Sequence, residues 1–333
     1  MSAQPQTSQR IPAIDYHAAP GLSNSALADL AVSPLRFWHL HVNPNRPGEE
    51  STPYLQFGSA LHTAVLEPDE FEKRYACKLD PTLYPNLLDT MDDLKAWLTE
   101  HGMQTSAKRK RELVDRVHAK DPDVPILELL KEAHDAKHEG KIQFTVEDWM
   151  RIGGAAHSLR SEPKVAEILT NGDAEVSCFV TDPETGVPLK ARFDWVTPKC
   201  TLDLKTFSQQ RSKTIDKTIA DAIWYERYYI QAYFYSLVRA ISSGDTTAAG
   251  PQKAPEFIMA FVESEEPHEV RIRSFRPKVA GEINLFWQRA RIEVHELIRL
   301  YADCLDRFGD KPWRDPRDVD PLEDHELPAL LAS

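Results

Sequence analysis

The sequence predicts a mixed α/β (α+β) fold, with a central mixed sheet of about five strands flanked by helices. Three patterns predict it. Residues 174–206 alternate apolar and polar with the period of two that a pleated strand imposes. The run Phe257–Val262 is apolar throughout and short, as a strand covered on both faces would be. Before residue 170 and after 279 the apolar residues instead recur every three or four positions, the signature of a helix with one buried face.

Residues 1–16 are polar and interrupted by proline, and they read as a flexible leader. Residues 17–306 read as one domain, which opens with helices. Ser23 or Ser25 can cap a stripe of Leu27, Leu30 and Ala31, which Ser33-Pro34 ends before a second piece over Leu35–Val42. Residues 43–53 have the composition of a loop, and Tyr54–Leu66 that of a helix. Residues 76–144 carry amphipathic segments at 91–101 and 124–138 and a basic run, Lys108 to Arg111, and are expected to form a helical insertion. Helical spacing returns at 149–159 and 164–169.

At Ala174 the period changes. Val176, Cys178 and Val180 alternate with polar neighbours, Asp182–Gly186 is a turn, and Leu189, Ala191, Phe193 and Trp195 alternate again, giving a hairpin. A third strand follows over Cys200–Thr206, then helices at 212–222 and 224–241. Phe257–Val262 pairs with Val270–Phe275, and a long helix is expected from Val279 to Arg307. Residues 307–333 are rich in proline and acid and read as a tail, although Trp313 and several leucines are scattered through it.

Composition narrows the function. The 333 residues carry 40 basic and 52 acidic side chains, a net charge of −12. That excludes a nucleic-acid binder whose whole surface is basic, but not one with a local basic channel. Four cysteines without C-x-x-C spacing give neither a zinc cluster nor a disulfide framework. With no signal peptide and no long apolar run, the chain reads as cytoplasmic and without a membrane partner.

The chemistry lies in the second and third strands of the alternating region. A period of two puts Asp203 and Lys205 on one face, away from Leu202 and Leu204, and Asp194 joins them if the strands pair with their apolar faces together. Two carboxylates with a lysine suit metal-assisted phosphodiester hydrolysis. Hard oxygens hold Mg²⁺, the ion polarises the phosphate and activates water, and the lysine offsets developing charge. Taken alone, Asp194-x8-Asp203-x-Lys205 is also what a solvated surface strand could carry. Downstream, Gln231 and Tyr235 are four apart and share a helix face. Upstream, His62 falls within a helix, where a half-buried histidine is the plainer reading. Candidate sources of local positive charge are Lys108, Arg109, Lys110, Arg111, Arg192, Lys205, Arg211, Lys213 and Lys217.

The segments GLSNSALADLAVSPLRFWHL, FGSALHTAVLEPDEFEKRY, TDPETGVPLKARFDWV, LDLKT and YYIQAYFYSL, in this order, resemble the exodeoxyribonuclease VIII (RecE-type) nuclease domain of phages and prophages. The resemblance covers roughly 15–75 and 145–275. It implies a PD-(D/E)-x-K nuclease fold and Mg²⁺-dependent 5′-to-3′ degradation of linear double-stranded DNA, with Mn²⁺ able to substitute. It further implies a 3′ single strand left for a single-strand annealing recombinase, and a ring-shaped homo-oligomer. Carried over by position, Asp194, Asp203, Lys205, Gln231 and Tyr235 form the catalytic set, and His62, Asp194, Asp203 and Leu204 the metal set. Arg192, Gln231, Tyr235, Lys108 and Arg109 are then expected to contact DNA, and Glu175 is a further candidate. Phe193 stands where the family often has proline before the first aspartate.

Other classes make different demands. The iron–sulfur branch of the superfamily needs clustered cysteines, and only Cys304 lies near the C-terminus. A restriction- or repair-type endonuclease would share Asp194, Asp203 and Lys205 but would not call for His62 or the Gln231/Tyr235 helix. A nuclease-dead DNA-binding scaffold would have lost an acid or the lysine.

Overall fold

The structure, a computed structural model, describes residues 7–46, 48, 52–275 and 284–314. In chain order its strands are β1 (Thr7–Arg10), β2 (Tyr75–Cys77), β3 (Ile142–Phe144), β4 (Asp173–Thr181), β5 (Pro188–Val196), β6 (Cys200–Phe207), β7 (Glu256–Glu263) and β8 (Val270–Ser274). Six of them form the central sheet in the order β1-β4-β5-β6-β7-β8. All neighbours are antiparallel except β6 and β7. A parallel pair needs a long crossover. Here the helices Ile215–Tyr225 and Tyr228–Ser242 supply it.

Both faces of the sheet are covered. On one, Cys178, Ala191, Phe193, Met259 and Phe261 pack under the helices Asn24–Val32, Tyr228–Ser242 and Leu285–Phe308. On the other, Leu202, Leu204, Ala260 and Val262 pack under Pro53–Leu66, Val146–Ser161 and Pro163–Leu169. This explains why β6 is buried at nearly every position and not at alternate ones. The charged residues of LDLKT therefore do not face solvent. They lie beneath the helix Tyr228–Ser242, on the face that carries Met259 and Phe261 of the paired strand.

Strict alternation fails at one place. Along β4, Ala174 joins one core and Val176 the other, and along β5 Phe193 and Trp195 are likewise divided. The β4–β5 ladder pairs Ala174 with Trp195 and Val176 with Phe193, but the intervening Glu175 and Asp194 are unpaired. Glu175 has φ +54°, the left-handed region, which costs a non-glycine residue about 1–2 kcal/mol. Both strands change face at this kink.

The N-terminal segment corrects the expected leader. Thr7–Arg10 pairs with β4 and adds a sixth strand, and the short helix Ala13–Ala18 buries Tyr16. Two charged side chains of β5 hold this segment down. Lys190 Nζ donates to the carbonyls of Tyr16, His17 and Ala19 at 3.0, 3.2 and 2.6 Å. Arg192 Nη1 donates to the Ile11 carbonyl at 2.8 Å.

The insertion is more regular than expected. Helices Met91–Glu100, Lys110–Lys120 and Leu127–Lys137 enclose a small core of Leu94, Leu98, Leu113, Val114, Val117 and Ile126. The parallel pair β2–β3 stands at its base. The predicted helix at 224–241 starts later, because the chain turns at Arg227 (φ +56°) before Tyr228. The last helix is capped by Asn284, whose side chain accepts from the Trp287 N–H, while the expected start at Val279 lies outside the described residues.

The expected tail is ordered at its beginning. Trp313 is 1% exposed, stacks on Phe37 at 4.9 Å and donates from Nε1 to the Gly309 carbonyl at 2.9 Å. Residues 315–333 lie outside the described residues. Trp313→Ala is therefore expected to cost about 3–5 kcal/mol, as emptying a buried aromatic site does. Thermal or urea denaturation of the variant checks this, and a change below about 1 kcal/mol would mean that the segment contributes no core.

Candidate metal centre

Three elements converge on the kink. The helix Pro53–Leu66 is capped by Thr52, whose hydroxyl accepts from the Leu55 N–H at 3.3 Å, and its buried side carries Leu61 and Val65 into the sheet. Its C-terminal carbonyls are held as well, since Arg160 donates twice to the Val65 carbonyl, at 3.1 and 2.7 Å. So anchored, the helix brings His62 Nδ1 within 3.4 Å of Asp194 Oδ2. The kink itself presents Glu175 and Asp194. One donor atom each from His62, Glu175 and Asp194 lie within 4.8 Å of one another.

Asp194 does structural work at the same time. Its Oδ2 accepts the Leu204 N–H at 2.8 Å, where β5 and β6 no longer pair residue by residue. The carboxyl is pushed up to about 6: burial raises it most, His62 opposes, Asp203 adds, Lys205 opposes and Glu175 adds. Glu175 is held by Arg192 Nε at 2.5 Å, and Arg192 also reaches Ser177 Oγ at 3.2 Å.

Asp203 lies one step deeper, 1% exposed. Its Oδ1 accepts from Gln231 Nε2 at 2.6 Å, and its Oδ2 lies 2.7 Å from Lys205 Nζ. A carboxylate oxygen has more than one lone pair, so Oδ2 can accept from Lys205 and still meet a cation or a water. Burial works against the Lys205 charge, but Asp203 and Asp194 outweigh it and raise its pKa. The ammonium also sits 5.0 Å from the centre of the Tyr228 ring.

The predicted residues thus divide. Asp194, Asp203, Lys205, His62, Gln231 and Glu175 are brought together. Leu204 contributes main chain only, because its side chain is buried in the core. Of the expected metal set, His62 and Asp194 come together with Glu175 as a triple that could hold an ion, and Asp203 is engaged by Gln231 and Lys205. Arg192, expected on DNA, is consumed by Glu175, Ser177 and Ile11. Tyr235 packs its ring edge-on to Phe193 at 5.2 Å and Phe257 at 5.8 Å, and burial pushes its phenol far above the usual range, while its hydroxyl stays beside Gln231 and near Asp203 and Asp194. Lys108 and Arg109 are exposed at the start of the insertion helix Lys110–Lys120, away from the residues of the centre in sequence. In the same run Arg111 is neutralised by Asp115, Glu128 and Glu132. Tyr228, which sits under Lys205, carries no sequence signal for that place beyond its three-residue spacing from Gln231.

The donor set suits a divalent ion. Two carboxylates and an imidazole nitrogen whose donor atoms lie within 4.8 Å of one another are ligands that Mg²⁺ or Mn²⁺ can take, with waters completing the sphere. Protons and metal compete for Asp194. Its folded pKa, about 6, lies above the ordinary aspartate value of 3.8. Without metal, stability should therefore fall as pH rises between these two values, and the penalty is complete above about 6. Mg²⁺ or Mn²⁺ should raise the melting temperature more at pH 7.5 than at pH 5. Equal shifts at both pH values, read by thermal denaturation, would place the ion elsewhere.

A crystal structure described as "Putative exonuclease", from Eubacterium rectale, aligns with a TM-score of 0.49 and 12% identity, covering 96% of this chain and 99% of that one. No curated protein matches the sequence. Among the described residues, no helix is long and apolar enough to cross a membrane. The fold is mixed α/β, a multi-stranded sheet flanked by helices, as in PD-(D/E)-x-K-like nucleases. Residues 23–310 match the family described as PDDEXK-like domain of unknown function (DUF3799), and over so much of its length the chain belongs to that family.

Proposed function

We propose that the protein is a metal-dependent exodeoxyribonuclease acting on the ends of linear double-stranded DNA. The observation that carries this is the meeting of His62 and Gln231 with the two aspartates. His62, from a separate helix, lies against Asp194, and Gln231 donates to Asp203. A minimal endonuclease needs neither, whereas the exonuclease branch that the sequence resembles uses both.

The chain's own residues then have distinct tasks. His62, Glu175 and Asp194 would hold a divalent ion. When bound, such an ion supplies Lewis-acid polarisation of a phosphate and a water of lowered pKa. Lys205 stays protonated and offsets charge on the phosphate oxygens. Gln231 fixes the Asp203 carboxylate, and the Leu204 N–H fixes that of Asp194. Degradation from 5′ to 3′, a 3′ strand handed to an annealing recombinase and a ring-shaped homo-oligomer complete the proposal, all three resting on the RecE-type resemblance. A ring would also gather basic side chains around a channel despite the net charge of −12.

The direct test is Mg²⁺-dependent release of nucleotides from linear but not closed circular duplex, with 5′-labelled ends to give polarity. Asp203→Ala and Lys205→Ala should each lower the rate about a hundred-fold or more, corresponding to about 3 kcal/mol of transition-state stabilisation. Wild-type rates in either folded variant would remove the assignment. His62→Ala should lose most activity in Mg²⁺ and retain relatively more in Mn²⁺, for which carboxylate and imidazole donors are both suitable. Normal activity with a lowered melting temperature would make His62 structural.

A further inference from the structure

The helix that carries His62 has a second feature that metal binding does not use. Tyr54, Gly58 and His62 are spaced by four, so at about 100° per residue they fall within an arc of roughly 80°. Tyr54 is 66% exposed and its neighbour Leu55 56%, large apolar surfaces at the start of a well-capped helix. The Tyr54 hydroxyl lies 3.4 Å from Thr206 Oγ1, the residue after Lys205. Beside it, Tyr228 lies under the Lys205 ammonium. Tyr54 is near enough to Tyr228 to act on its phenol, so the two belong to one wall of the centre.

Between Tyr54 and His62 stands glycine, the least helix-favouring residue after proline. A Cβ added at Gly58 would meet no protein atom within 4 Å. Packing within the protein therefore does not require glycine there. The gap lies open, between an exposed aromatic ring and a residue of the candidate metal triple.

We infer that this helix face seats one nucleotide of DNA at the cleavage point, with Tyr54 stacked on its base and its sugar passing over Gly58. The inference rests on the nuclease reading above. A nucleobase stands one sugar away from its phosphate, so a phosphate engaged by Lys205 and the metal triple places the base towards Tyr54. Every base has a π face, so such a contact accepts all four and imposes no sequence preference. It would let a nuclease hold each successive terminal nucleotide without reading it.

The probe is a blunt linear duplex with 2-aminopurine at the terminal nucleotides of one end, measured in Ca²⁺ before turnover, beside a matched duplex whose terminal positions are abasic. Wild-type protein is expected to quench the 2-aminopurine and to bind the abasic end roughly five- to a hundred-fold more weakly, the range that stacking on one aromatic gives. Tyr54→Ala should lose both the quench and the discrimination, and Tyr54→Phe should keep both. Gly58→Leu should weaken binding of the natural end, with helical content unchanged by circular dichroism. If Tyr54→Ala quenches and discriminates as the wild type does, the inference is overturned while the nuclease reading stands. If the wild-type protein cleaves no DNA in Mg²⁺ or Mn²⁺, the nuclease reading fails first and takes the seat with it.

Discussion

The carboxylate of Asp194 accepts the Leu204 N–H at the point where β5 and β6 stop pairing. A buried amide without a partner is costly, so the contact is required once the strands part. It also fixes where the acid points. The strands part because β4 and β5 change face together at the unpaired Glu175 and Asp194, with Glu175 held in a left-handed conformation. Strain of this kind persists only where its surroundings enforce it. Here they include the Arg192 ion pair and the N-terminal strand that Arg192 tethers.

This arrangement lets a sheet buried on both faces keep a polar centre. Asp203 and Lys205 lie under a largely apolar helix, where Gln231, Tyr228 and each other supply what water would. Arg239, further along the same helix, repeats the device. It donates to Thr201 Oγ1 at 2.7 Å and to the carbonyls of Cys200 and Thr197 at 3.1 and 3.0 Å. Thr201, Asp203 and Lys205 of β6 are thus met in turn by Arg239, Gln231 and Tyr228, a polar seam between one strand and one helix. The helix is positioned by that seam as much as by its apolar packing.

Much of this was legible in the sequence. The hairpin of β4 and β5, the strand LDLKT and the following helices follow from period and turn chemistry, and Asp194, Asp203, Lys205, His62 and Gln231 were singled out before their meeting was visible. Other features were hidden for physical reasons. β1 is a four-residue edge strand, TSQR, whose polar composition gives no alternation. The face change at Glu175 is a single backbone angle, invisible to a pattern that looks regular on either side of it. The tethering roles of Arg192 and Lys190 leave no sequence signal because their acceptors are main-chain carbonyls of the N-terminal segment, distant in sequence. Trp313 sits in a proline-rich acidic stretch, and only its stacking on Phe37 shows that the core extends that far.

The central claim is that the kink assembles a divalent-metal site from His62, Glu175 and Asp194. Titrating Mn²⁺ into the wild-type protein and into Asp194→Asn and Glu175→Gln, followed by electron paramagnetic resonance at neutral pH, tests it most directly. The account expects saturable binding in the wild type, lost in Asp194→Asn and weakened about ten-fold or more in Glu175→Gln. Equal Mn²⁺ binding by all three folded proteins would contradict it.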